Sequence, residues 1–284
     1  MGIRKRRDES VLPPGTFYGR TISQTVSDAV LSEVVHDLGR TVASHRHAAS
    51  YFSLLLEGSY RETAHELTVA YEPFTLVYHA ARTEHTDTIG PNGCRLFFVE
   101  LLPRWNDVMA LLGPQPEHLV ELNGGEPAWL ALRLYQDVIS GALDPLTVEA
   151  LLYELCDYAV SSHMRDTTEP PWLVVVDRVV QSQFIDGLNL GDIASEAAVS
   201  PSQLCRAFRR FRGKSIGDYI LGLRIQRVCR RLAETSMPLR DVAAEAGFAD
   251  QSHMTNAFRR AIGSSPGSYR RKVLHAAERT PATT

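Results

Sequence analysis

Cysteine is scarce and scattered: Cys94, Cys156, Cys205 and Cys229 are the four in 284 residues, and no two form a CxxC pair. That spacing excludes a disulfide framework or a cysteine-based zinc site and suits a reducing, cytoplasmic compartment. Long apolar runs are missing too, and a helix needs about 20 such residues to cross a bilayer, so no membrane partner is expected. The first seven residues are basic but run into Asp8, Glu9 and Ser10 rather than an apolar core, which argues against a secretory signal and for a solvated tail. Neither a glycine-rich phosphate loop nor a nucleophile motif is present. Enzymatic chemistry therefore has no obvious carrier, and no cofactor is expected.

Net charge is also nearly absent, at −3, but only because two opposite halves cancel. Residues 172–284 carry 17 Lys and Arg against 10 Asp and Glu, whereas residues 1–171 carry 13 against 23. A basic segment beside an acidic one points to a polyanion partner for the basic half alone.

What the basic half does contain is a repeat. Leu190, Asp192, Ala194, Glu196 and Ala197 recur 49 residues later. Ser202, Ala207, Phe208, Arg209, Arg210, Gly213, Ser215, Gly217 and Tyr219 recur 50 residues later. The one-residue slip falls between the two groups, in a turn. Two copies make a paired module rather than a solenoid.

Each copy opens with apolar residues at i, i+3, i+4 and i+7: Leu190, Ile193, Ala194 and Ala197, then Leu239, Val242, Ala243 and Ala246. This is one buried helical face. A break follows near Ala198 and near Gly247, where glycine suits a positive φ. Ser200 before Pro201 reads as an N-cap with proline at the first helical position, and Ala249 or Asp250 begins the matching helix. In the helices that follow, Leu204, Phe208 and Phe211, or Met254, Phe258 and Ile262, form the inner face. The outer faces offer Ser202, Gln203, Cys205, Arg206 and Arg209, or Gln251, Ser252, His253, Asn256 and Arg260. Such a slender polar helix start suits a DNA major groove, where Arg can bond guanine bidentately and Asn or Gln adenine. Arg206 and Asn256 are expected to read bases, assisted by Gln203, Gln251 and His253. Arg209, Arg210, Arg259 and Arg260 are expected at phosphates or in packing. Residues 216–232 supply a helical connector.

Residues 172–272 resemble the DNA-binding domain of AraC/XylS-type transcription regulators. The second copy carries most of the likeness, through Asp241 to Phe248, Ser252, Phe258 to Arg260 and Gly263 to Arg270. The resemblance implies two helix-turn-helix units on a shared connecting helix, with base-contacting positions at Ser202, Gln203, Arg206, Gln251, Ser252, His253 and Asn256. Ala198 departs from the pattern, since many members have glycine there.

The acidic half reads differently. Short runs rich in Val, Leu, Phe and Tyr, at 51–56, 66–70, 74–78 and 96–101, are separated by turn-like clusters at 57–59 and 90–93. This grammar suggests a sandwich or jelly-roll barrel. Gly39 followed by His45, His47 and His85 resembles the cupin barrel, the usual sensor attached to such a DNA-binding module. Metal-binding cupins add a glutamate shortly after the His-x-His pair, and here Ala48 to Phe52 contain none. No metal is therefore expected. His45, His47, Tyr51, Tyr78 and His85 are expected to line a small-molecule effector pocket.

Residues 128–141 and 145–164 read as two helices, expected to pair antiparallel over the barrel and to offer a homodimer surface. The expected chain is thus α+β: a cupin-like barrel over 1–124, a helical pair over 125–165, a linker at 166–171, a DNA-binding domain over 172–272 and a tail at 273–284. Its expected role is a ligand-responsive transcription regulator, more often an activator with RNA polymerase as partner. A metal-dependent cupin enzyme and an effector-independent DNA binder are the alternatives.

Overall fold

The computed structural model describes residues 11–65, 67–122, 126–163, 169–212 and 214–271. The expected tails at 1–7 and 273–284, and residues 166–168 of the expected linker, lie outside these. The strands are β1 (Val11–Leu12), β2 (Arg20–Val26), β3 (Ala29–His36), β4 (Arg40–His47), β5 (Ser50–Ala64), β6 (Leu67–Tyr71), β7 (Leu76–His79), β8 (His85–Leu101) and β9 (Val120–Glu121). Helix α1 (Pro103–Leu112) precedes β9, and α2 (Glu126–Ser140) and α3 (Pro145–His163) follow it. Six more complete the described chain: α4 (Trp172–Gln183), α5 (Leu190–Glu196), α6 (Pro201–Arg212), α7 (Ile216–Glu234), α8 (Leu239–Glu245) and α9 (Gln251–Ile262).

Two compact units form, residues 1–123 with 141–164 and residues 124–140 with 165–284. The two central helices expected as one layer therefore divide: α3 belongs with the sheet and α2 with the carboxy-terminal helices. Each has its own buried face to satisfy. In α3 Leu151, Leu152, Leu155 and Cys156 are buried, and in α2 Trp129, Leu132, Leu134 and Tyr135 are.

The first unit is a nine-stranded sheet with the path β1-β4-β8-β5-β7-β9; β3 also pairs with β8, β2 with β3 and β6 with β5. Among the described residues the path does not return on itself, so the expected barrel is not closed by hydrogen bonds. Its end strands β1 and β9 hold two residues each, too few to zip a seam.

The turn clusters at 57–59 and 90–93 prove not to be turns. They lie inside the long strands β5 and β8, which pair along most of their length. Gly58 (φ 85°) and Gly93 (φ 75°) stand where the register shifts, as bulges that bend a strand without ending it. A Cβ at Gly58 would meet the Gly93 carbonyl oxygen at 2.3 Å. The bend lets each long strand serve two partners. On one flank β8 pairs first with β4 and then with β3; β5 likewise serves β7 and then β6.

Alternation along β5 sends Tyr51 and Leu55 to one face and Phe52 and Leu54 to the other, and all four are buried. The first face joins Val34, Tyr60, Val77, Leu96 and Phe98 in one core. On the other, Phe52 meets Tyr78 edge-on with ring centroids 5.3 Å apart. Trp105 of α1 is fully buried, and its indole N–H donates to the Ser27 carbonyl at 2.8 Å.

The second unit packs Leu173, Val176 and Val180 of α4 against Ile193 and Ala194 of α5 and Leu204, Phe208 and Phe211 of α6. Helix α2 touches α9, and the Ser264 hydroxyl donates to the Gln136 side-chain oxygen at 3.3 Å.

Candidate nucleic-acid interface and a buried histidine cluster

The repeat in sequence is a repeat in geometry. After α5, Ala198 N–H donates to the Ser195 carbonyl and Val199 N–H to that of Ala194; after α8, Gly247 donates to Ala244 and Phe248 to Ala243. These are matching helix C-caps closed by a left-handed residue. Ala198 (φ 54°) fills the place of Gly247 (φ 78°), a left-handed conformation that a residue with a Cβ adopts only under strain. The extra residue of the second copy is Ala249, between Phe248 and the N-cap Asp250. Ring contacts repeat as well: Phe208 on Tyr219 at 5.3 Å and Phe258 on Tyr269 at 5.5 Å, both edge-on.

The helix starts are built differently. Ser200 and Gln203 form a reciprocal capping box: Gln203 N–H donates to Ser200 Oγ at 3.3 Å, and the Ser200 amide and hydroxyl donate to Gln203 Oε1 at 3.0 and 2.9 Å. In α9 the Asp250 carboxylate accepts from His253 N–H at 2.7 Å. Gln203, expected at a base edge, thus has its amide oxygen committed to the cap.

Ser202, Gln203, Arg206, Arg209 and Arg210 on α6 and Gln251, Ser252, His253, Asn256 and Arg260 on α9 are all exposed. Opposite them Leu204, Phe208 and Phe211, and Met254, Phe258 and Ile262, are buried. Arg210 lies over the Phe211 ring, 5.1 Å from its centroid. Other arginines are structural. Arg212 binds the carboxylates of Glu169 and Asp177. From α7, Arg224 donates to the Phe184 carbonyl, Arg227 to that of Glu245, and Arg231 to the Glu245 carboxylate at 2.6 Å.

The first unit encloses a second polar feature. His45 and His47 point to the same face of β4, and His85 of β8 meets them, so that one ligating atom from each lies within 4.8 Å of the others. All three are buried. Tyr51 joins them, its hydroxyl 3.4 Å from His85 Nε2. Tyr78, the fifth residue expected there, does not; it lies on the opposite face against Phe52. The neighbouring His79 takes that side instead, stacked on Tyr51 with centroids 4.3 Å apart. Its Nε2 lies 3.1 Å from Ser53 Oγ and its Nδ1 3.4 Å from Glu62.

Burial and the neighbouring rings of His85 and His45 push His47 down to about 3, so it is neutral at physiological pH. Burial, then His85, lowers His45 as well. Two carboxylates lie deep beside the cluster. Burial raises Glu100 to about 7 against the pull of the Gly15 N–H, which donates to it at 2.6 Å. Burial also pushes Glu62 upward, but His79, His85 and His45 together hold the carboxyl below its ordinary value. Asp87 stands at the mouth of the cluster, accepting from the Tyr60 hydroxyl at 2.8 Å. Asp87, His79, Glu62 and Glu100 were not foreseen. The i, i+2 relation of His85 and Asp87 on one strand was the readable signal for the first of them.

Residues 193–272 match the family model described as a helix-turn-helix domain. The Msm operon regulatory protein of Streptococcus mutans is 28% identical over 125 residues, 43% of this chain and 45% of that protein. A relative from Streptomyces antibioticus, named as an AraC-like transcription regulator, is 37% identical over 85 residues, 30% of this chain and 28% of its own length. The chain thus spans less than half the length of these relatives. A solved transcriptional regulator from Chromobacterium violaceum, titled as containing an AraC-type DNA-binding domain, is 26% identical and covers 39% of this chain and 96% of its own, with a TM-score of 0.35. The carboxy-terminal part of the chain is therefore a helix-turn-helix domain. More particularly, it is one of AraC type.

Proposed function

We propose that this chain is a sequence-specific transcription regulator that binds double-stranded DNA through two helix-turn-helix units, α5 with α6 and α8 with α9, joined by α7. The observation that carries this reading is the matched presentation of the two outer helices. α6 buries Leu204, Phe208 and Phe211 and α9 buries Met254, Ala257, Phe258 and Ile262, while both expose short polar residues over the first turn and carry arginines further along. Arg206 and Asn256 are the side chains for base edges; Gln251, His253, Ser202 and Ser252 flank them. Arg209, Arg210, Arg259 and Arg260 serve phosphates. Binding on one face of the duplex puts the two helices in groove segments about 34 Å apart.

The first unit is the sensor in this reading, a cupin-like sheet whose effector site lies around His45, His47, Tyr51 and His85. The enclosed space there is about 20 Å³, with Phe17, Tyr18, Tyr60 and Phe98 among its walls. An organic effector needs some 300 Å³ or more, so such a ligand would have to open the sheet. A homodimer, RNA polymerase contact and activation complete this reading, and the AraC-type likeness is their support.

Fluorescence anisotropy with the full chain on genomic fragments tests the proposal. Tight binding to a few short sites, abolished by scrambling them, is expected. Equal affinity for every fragment would reject it.

A further inference from the structure

We propose that His45, His47, His85 and Asp87 bind one divalent transition-metal ion inside the amino-terminal unit. As a signal for the regulator, the ion rests on the function proposed above; as a binding site, it rests on geometry alone.

The imidazoles are already oriented for it. His45 Nδ1 lies 3.0 Å from the Ala43 carbonyl, and His85 Nδ1 lies 3.0 Å from that of Thr83. A carbonyl only accepts, so each Nδ1 carries the hydrogen and each Nε2 keeps its lone pair. Backbone carbonyls hold metal-binding histidines in this way. The Nδ1 of His47 faces Glu100 at 3.8 Å and has no hydrogen-bond partner among the described residues, which leaves its Nε2 for the cluster.

Asp87 provides the anionic ligand. Its Oδ2 is 3.7 Å from His45 Nε2 and its Oδ1 is 3.8 Å from His85 Nε2. Tetrahedral bonds of about 2.1 Å place ligand atoms roughly 3.4 Å apart, so the Asp87 contacts close with a contraction of a few tenths of an ångström, and the imidazole atoms, which lie within 4.8 Å of one another, draw together around the ion. The Tyr60 hydroxyl fixes the carboxylate. A glutamate after His47 is therefore unnecessary, because β8 brings its own carboxylate two residues beyond His85. The cavity of about 20 Å³ fits a single ion or a single water. Three imidazoles and one carboxylate suit zinc, iron, cobalt or nickel rather than calcium or magnesium.

The test uses the full chain stripped with a chelator, titrated with Zn²⁺ by calorimetry and with Co²⁺ by visible absorption. One ion per chain and ligand-field bands of a four- or five-coordinate Co²⁺ are expected. His47→Gln and His85→Gln should abolish them, and Asp87→Asn should weaken binding by about tenfold or more. His79→Gln should retain them, since that ring is engaged by Ser53 and Glu62; circular dichroism of each variant reports folding. No Co²⁺ bands in the wild type, or unchanged affinity in folded Asp87→Asn and His85→Gln, would overturn the site. Operator binding in the same samples separates the two readings. Specific DNA binding without metal uptake rejects the site and leaves the regulator. Metal uptake without any DNA preference rejects the regulator and leaves the site. An operator affinity unchanged by the ion rejects it as a signal.

Discussion

Ala198 and Gly247 occupy the same position in two copies of one turn, and both are left-handed, at φ 54° and 78°. The left-handed conformation costs a residue with a Cβ roughly 1–2 kcal/mol, while glycine gives back about 0.5–1 kcal/mol through its freer unfolded chain. Ala198→Gly should therefore stabilise the carboxy-terminal unit by up to about 1 kcal/mol. Gly247→Ala should cost more than the strain alone, because its Cβ would meet the Ile185 carbonyl oxygen at 2.9 Å and Ile185 Cα at 3.0 Å. Urea midpoints followed by circular dichroism decide this; a lower midpoint for Ala198→Gly would refute it.

The bend between Gly58 and Gly93 makes a sharper case. With φ at 85° and a neighbouring carbonyl oxygen 2.3 Å from the added Cβ, Gly58→Ala has no relaxed conformation unless the paired strands part. A loss of about 2 kcal/mol or more is expected, in the upper range for single substitutions. Near-native stability of that variant would show that the strands slide freely there.

These two sites mark what the sequence made legible. The repeat exposed the carboxy-terminal helices almost residue by residue, because helical periodicity, an N-cap serine and a one-residue slip are local signals. The long strands were not readable, because Gly58 and the segment 90–93 have turn composition, and only the opposite strand decides whether such a glycine bends or ends a strand. Tyr78 was assigned to the cluster and His79 missed for a related reason. One residue of register moves a side chain to the other face, and that register comes from the pairing of Phe52 with Tyr78. The division of α2 from α3 depends on tertiary packing, to which the apolar pattern of neither helix gives a clue.

Gln203 and Asn256 both carry carboxamides on outer helices, yet their surroundings separate their roles. Gln203 is tied into the cap with Ser200, whereas the Asn256 side chain has no hydrogen-bond partner among the described residues. Gln203→Ala should cost about 0.5–2 kcal/mol of stability and change base preference little. Asn256→Ala should leave stability unaltered, lose about 1–3 kcal/mol on the cognate site and relax the choice of base at one position. Binding-site selection with each variant measures both. A loss of preference confined to Gln203→Ala would reverse the assignment.

Arg209 and Arg212 sit one turn apart on α6 with opposite fates. Arg209 is exposed with no partner among the described residues, ready for a phosphate; Arg212 is held by Glu169 and Asp177 and is mostly shielded from solvent. Each phosphate neutralised releases condensed counterions, so removing one contact flattens the plot of log K against log salt by about 0.9. Arg209→Ala should produce that change with the unfolding midpoint unmoved. Arg212→Ala should leave the slope alone and lower stability by about 1–2 kcal/mol, since two carboxylates lose their shared donor. If the slope instead responds to Arg212 and not to Arg209, α6 meets the duplex by a different edge from the one bearing Arg206.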